Sequence, residues 1–157
     1  MGALFLVELL VNSGLDFIFK GGTSLIVLLS RIKRFSVDVD IITEEAEEKV
    51  KTIIAEIIAN QGLFTRIEEN IRENEASRRM KLAHYKFFFN SITDNSEKYI
   101  LLDVVFESNL YPRVIEKRIE NSKLKILTNT YVKIPSVESI LGDKLTVLAP
   151  KTTRNRL

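Results

Sequence analysis

The sequence predicts an α/β (α+β) fold, a mixed β-sheet flanked by helices, and three stretches carry that reading. Residues 99 to 107 (Tyr-Ile-Leu-Leu-Asp-Val-Val-Phe-Glu) are almost unbroken apolar, as a central strand covered on both faces must be. Residues 36 to 42 alternate, with Val37, Val39 and Ile41 on one face and Asp38 and Asp40 on the other. Residues 43 to 60 place Val50, Ile53, Ile54, Ile57 and Ile58 at helical spacing. With 157 residues, 45% of them apolar and 28% charged, the chain suits one domain with a sizeable core.

The elements follow in order. Residues 3 to 13 are predicted helical and end at Asn12-Ser13-Gly14, a C-cap signal. Leu15 to Lys20 is a short strand, Gly21-Gly22 a turn, and Thr23 to Leu29 a short helix that Thr23 or Ser24 can cap. After the alternating strand at 36 to 42, a helix is predicted from Thr43 to about Asn60. Its first turn holds Glu44 and Glu45, which suit a helix N-terminus, and Gly62 ends it. Leu63 to Glu69 and Lys81 to Ile92 read as strands, the latter with Phe87-Phe88-Phe89. The turn residues Asp94-Asn95-Ser96 then join it to the strand at 99 to 107 as an antiparallel hairpin. Between Leu110 and Ile134 the pattern weakens, with strand pieces at 123 to 127 and 131 to 134. Pro135-Ser136 opens a last helix, Val137 to Leu148, with Ser136 as N-cap and Pro150 as stop.

Composition excludes several chemistries. There is no cysteine, so disulfides, thiolate zinc sites and thiol nucleophiles are out. The single histidine, His84, rules out a multi-histidine metal centre. A metal would be a hard cation on oxygen ligands, Mg²⁺ or Mn²⁺. Net charge is only +2, although Glu44 to Glu48 is an acidic block and Arg78, Arg79, Lys81, Lys86, Lys151, Arg154 and Arg156 are basic. The apolar run Ala3 to Val7 is too short to span a membrane and lacks the flanks of a secretory signal, so a cytoplasmic protein is expected.

Two segments carry chemistry. Lys20-Gly21-Gly22-Thr23-Ser24-Leu25 is a small-residue turn leading into a helix. Its backbone N–H groups can approach a phosphate closely, with Thr23 and Ser24 adding hydroxyls and Lys20 and Arg34 as candidate phosphate contacts. The spacing is not that of a Walker A loop. Arg34-Phe35-Ser36-Val37-Asp38-Val39-Asp40 then sets two carboxylates on one strand face, where they can share metal ions. Asp103, between Leu102 and Val104, can complete the set from a neighbouring strand. Three carboxylates held together repel one another unless cations bind, which is the physical reason to expect metal. Singly, a Gly-Gly turn is commonly only a turn and Asp-x-Asp only a solvated face. Their conjunction with an Asp inside an apolar strand points to nucleotide chemistry. His84 could contact substrate but reads as structural, the three phenylalanines could stack bases but read as core on both sheet faces, and Arg78-Arg79 fits an RNA contact and a solvated loop equally.

These segments, with Pro135-Ser136-Val137-Glu138-Ser139-Ile140-Leu141-Gly142-Asp143-Lys144-Leu145-Thr146, resemble the nucleotidyltransferase superfamily and, within it, the AbiEii/AbiGii toxin family. The resemblance implies a nucleotidyltransferase-like fold and the toxin of a toxin–antitoxin or phage-defence pair. It implies NTP as donor, RNA as acceptor (the tRNA 3′ end in MenT-type relatives), and a cognate antitoxin as partner. It assigns nucleotide binding to Lys20, Gly21, Gly22, Thr23, Ser24, Arg34, Ser36 and Lys144. Metal binding falls to Asp38, Asp40 and Asp103, with Asp103 as third ligand or as the base for the acceptor hydroxyl. Without the resemblance Lys144 would read as an exposed helix lysine. The family's further helical segment is expected after residue 157, so 1 to 157 is read as one catalytic domain without that C-terminal part. The alternative is an inactive nucleotide- or protein-binding remnant. An aminoglycoside-modifying transferase would use the same carboxylates but needs an acidic acceptor pocket.

Overall fold

The computed structural model describes residues 2–29, 37–69 and 81–148. In order these form α1 (Gly2–Asn12), β1 (Ile18–Lys20), α2 (Gly21–Leu28), β2 (Val39–Thr43), α3 (Glu47–Gln61), β3 (Arg66–Glu69), β4 (Leu82–Asn90), β5 (Glu97–Phe106), β6 (Val114–Asn121), β7 (Ile126–Pro135) and α4 (Val137–Leu148). The seven strands make one mixed sheet in the order β3-β4-β5-β2-β1-β7-β6. β2 is parallel to β5 and β1 parallel to β7, and the other neighbours are antiparallel. The α/β class and the mixed sheet predicted from sequence are what the chain adopts.

One sheet face carries the core. Leu6, Leu10, Ile26, Val27, Val50, Ile53, Ile54 and Ile57 from α1, α2 and α3 pack on Phe19, Val39, Ile41, Phe87, Leu102 and Val104. The stripe predicted for α3 is therefore its buried side. Gly14 and Gly62 take φ of +77° and +61°, the left-handed conformation that ends a helix at little cost for glycine. The phenylalanine run divides between faces. Phe87 meets Phe64 edge-on at 5.1 Å, while Phe88 packs near Tyr99 at 5.6 Å beneath the Arg66 guanidinium.

Four expectations need correction. α3 begins at Glu47, not Thr43. The Thr43 hydroxyl donates to the Asp16 carbonyl at 2.7 Å and accepts the Glu45 N–H at 3.1 Å, and Thr43 is paired with Phe106 in the sheet. Those bonds hold it in β2. The Gly21-Gly22 turn is instead the first turn of α2, capped by Lys20 in extended conformation without a side-chain bond. Neither Thr23 nor Ser24 caps it. β2 starts at Val39, which leaves Asp38 just before the strand. Finally, residues 114 to 135 form one hairpin, and residues 123 to 125, predicted as strand, make its turn, with Lys125 at φ +52°. The charged alternation Glu116-Lys117-Arg118 on an edge strand hid β6, because an edge strand needs no apolar face. Ser136 does act as predicted, its hydroxyl accepting the Ser139 N–H at 3.3 Å at the start of α4.

Candidate functional site

The register across four adjacent strands builds the site. Lys20 on β1 is paired with Asp40 on β2, Asp40 with Asp103 on β5, and Asp103 with His84 on β4. Side chains at paired positions share a face. Lys20, Asp40, Asp103 and His84 therefore form one polar row on the face opposite the helical core. One step further along the strands, Ile18, Ile42, Val105 and Leu82 form a parallel apolar row in the same register. Ile18, Ile42 and Val105 are buried as a small second cluster, with Tyr111 and Val114 against them. The site is thus a charged line bordered by a dry strip.

Asp40 is the electrostatic centre of the row. Burial is the main cause that pushes its carboxyl up to about 6; the Asp103 and Asp38 charges add to the rise, while Lys20 and Lys144 oppose it. Two further carboxylates and two lysines thus act on Asp40. Lys144 is exposed on α4, yet its charge reaches Asp40. Asp38 is exposed beside the strand end. His84 is 6% exposed, and its Nδ1 lies 2.6 Å from Asp103 Oδ1.

The glycine turn touches the row directly. Gly21 has φ +77°, and a Cβ built there would lie 2.0 Å from Asp40 Oδ2. Only glycine allows both the backbone bend and this approach. Thr23 and Ser24 are fully buried. The Thr23 hydroxyl donates to the Asp38 carbonyl, and that of Ser24 to the Gly21 carbonyl at 2.8 Å. In this conformation the Thr23 hydroxyl ties the turn to the approach of β2, and that of Ser24 closes the turn on itself. The first backbone N–H groups of α2 have no partner within the helix, and Gly21 sets this end of the helix against Asp40. Arg34 and Ser36 lie outside the described residues.

A cleft of ≈ 470 Å³ opens beside Lys20, lined among others by Ile42, Tyr111, Arg113, Ser136 and Ser139. Among the described residues no three His, Asp or Glu side chains converge as a set able to hold a metal ion. Asp40 and Asp103 are paired, but Asp38 does not close a third corner. That agrees with the chemistry of Mg²⁺, which keeps several waters and is usually held by one or two carboxylates with substrate phosphates. The donor set therefore fits Mg²⁺ or Mn²⁺ brought with a nucleotide rather than a resident ion in a protein cage.

The sequence alone reads His84 as structural and does not place it beside Asp103. A signal was present in the hairpin, since counting back from Asn90 opposite Glu97 puts His84 opposite Asp103. The exact register depends on turn geometry, which residues 91 to 96 do not spell out.

The comparisons with known proteins bear on this arrangement. The family of the nucleotidyl transferase AbiEii toxin, from type IV toxin–antitoxin systems, matches residues 4–157. The chain belongs to this family. No curated protein matches it. Among solved structures, it is similar to JHP933 from Helicobacter pylori, with a TM-score of 0.62 and 15% identity over 98% of this chain and 57% of that one. It is also similar to an antigenic nucleotidyltransferase-like protein from Paracoccidioides brasiliensis, with a TM-score of 0.60 and 14% identity over 97% of this chain and 66% of that one. At such identity the likeness speaks to fold. The chain spans less than two thirds of either structure. The polar row is thus carried by an AbiEii-family sheet.

Proposed function

We propose that this chain is the catalytic part of a toxin that transfers a nucleotide from an NTP to the 3′ hydroxyl of an RNA, with tRNA as the acceptor. The observation that carries the reading is the row Lys20–Asp40–Asp103 with Gly21 pressed against Asp40. The Gly21-Gly22 turn and the N-terminus of α2 would receive the phosphates. Lys20, Lys144 and Arg34 would neutralise the triphosphate and Ser36 would help orient it, while Thr23 and Ser24, buried and bonded to backbone carbonyls, would hold the shape of the turn that receives it. Asp38 and Asp40, joined by Asp103, would hold Mg²⁺ or Mn²⁺. When bound, the ion supplies Lewis-acid stabilisation of the charge developing at the α-phosphate. Asp103 would accept the proton of the attacking hydroxyl, whose oxygen bonds to the α-phosphorus while pyrophosphate leaves. Among the described residues no helix is long and apolar enough to cross a membrane. Action in the cytoplasm against cellular RNA, restrained by a cognate antitoxin, completes the reading.

The test is incubation with each labelled NTP, Mg²⁺ and total tRNA, with Asp38→Ala and Asp40→Asn in parallel. Label on RNA that both substitutions abolish supports the reading. A second reading is an NTP-binding remnant without turnover. Saturable NTP binding with no label on any RNA would select it.

A further inference from the structure

We propose that His84 is a positioning residue that fixes which oxygen of Asp103 is presented to the reaction. The inference rests on the transferase reading of the row. His84 is the one histidine of the chain and is buried on β4. Its partner Asp103 is half-buried on β5, directly opposite in the antiparallel register. The Nδ1 to Oδ1 separation of 2.6 Å is a short, charge-assisted contact. A carboxylate only accepts hydrogen bonds, so Nδ1 carries the hydrogen and donates it. That bond occupies Oδ1 and turns the carboxyl plane, which leaves Oδ2 for a metal or a substrate hydroxyl.

The surroundings explain why such a group is needed. On its other side Asp103 faces Asp40, whose negative charge would push an untethered carboxylate toward solvent. Lys20, paired with Asp40 on its other side, and Lys144 both act on Asp40. His84 supplies the only hydrogen bond seen to the Asp103 carboxylate among the described residues. The ring is fixed in turn by its place in the sheet, between Leu82 and Lys86 on the same strand face. A buried donor that orients a reactive carboxylate commonly matters 10–100-fold, or about that range, for activity or metal affinity.

The experiment uses the full chain and three substitutions. Asn places its amide nitrogen where Nδ1 stands, so His84→Asn keeps the donor. His84→Phe keeps the ring and loses the donor. With melting temperatures of the variants matched to wild type, His84→Phe is expected to lower kcat by about tenfold or more with the NTP KM unchanged, and His84→Asn to recover most of it. Equal kcat for wild type and His84→Phe, or equal impairment of Asn and Phe, overturns the proposal. A second readout needs no turnover and no metal. The single histidine gives one set of ring signals in ¹⁵N NMR. The proposal requires a protected Nδ1–H signal that disappears in Asp103→Ala. A ring protonated only at Nε2 overturns it. If wild type labels no RNA, the transferase reading fails and the positioning role with it, while the ring signal still reports the pairing by itself.

Discussion

At the scale of single residues, the site is held against its own stability. The carboxyl of Asp40 is raised from an ordinary 3.8 to about 6, chiefly by burial and then by Asp103. Between those values the unfolded chain has released its proton while the folded chain keeps it. Stability therefore falls as pH rises through that window and stays lower above it. The penalty is at most about 3 kcal/mol above the window and absent below it. Asp40→Asn should raise the melting temperature of the metal-free protein at pH 7.5 and change it far less at pH 4, near the bottom of the window; no gain at pH 7.5 would refute the electrostatic account. Gly21 makes a second residue-scale prediction. With a Cβ at 2.0 Å from Asp40 Oδ2 and a positive φ, Gly21→Ala should destabilise the fold and abolish NTP binding. Combining it with Asp40→Gly should restore part of the stability, because the clash is gone although the backbone strain remains. A double-mutant cycle by urea unfolding measures that coupling, and strict additivity would show that Asp40 is not what the new Cβ meets.

At the scale of elements, α2 is held in place mainly by what surrounds it. It has eight residues, too few for a helix stable alone. Asn121, buried at the end of β6, donates to the Ile26 carbonyl at 2.8 Å and accepts the Leu124 N–H at 3.1 Å. One side chain thus joins α2 to the hairpin turn between β6 and β7. Asn121→Ala should cost about 1–3 kcal/mol, since it leaves buried groups without partners. It should also speed amide exchange in α2 relative to α3. Uniform protection across both helices would show that α2 is anchored elsewhere. Phosphates are proposed to bind at the opposite, N-terminal end of the same short helix, so a variant that loosens α2 should weaken NTP binding without touching the polar row.

At the scale of the whole molecule, the sheet brings together residues from four strands, and on the proposed reading a nucleotide completes the site they form. Asp40 and Asp103 are paired, yet no three-residue metal set closes among the described residues. Mg²⁺ alone should therefore shift the melting temperature little, and an NTP with Mg²⁺ should shift it by several degrees, following the ligand's affinity for the folded chain. A large shift with Mg²⁺ alone would mean that the protein builds a cage by itself. How much of this was legible beforehand depends on the range of each interaction. The amphipathic stripe of α3, the glycine stops at Gly14 and Gly62, the cap at Ser136 and the apolar strand β5 are local patterns, so the chain declares them within a few residues. The start of α3 was misplaced because Thr43 is held by Asp16, far away in sequence. β6 was missed because an edge strand may carry charge on both sides without cost.

What the sequence determined by itself was the kinds of residues at the site: a glycine turn, Asp38 and Asp40 two apart, an Asp inside an apolar strand, and no cysteine. These follow from local chemistry and from spacing along one strand. What only the tertiary structure decided was their neighbours. The parallel pairing of β2 with β5 put Asp40 beside Asp103, the hairpin register put His84 on Asp103 Oδ1, and the sharp entry into α2 put Gly21 against Asp40. Strand pairing is non-local, and a slip of one residue would turn every one of these side chains to the other face. The register that aligns the row is fixed by the burial of Val39, Ile41, Leu102 and Val104 on the opposite face, so the hydrophobic core is what aligns the charges.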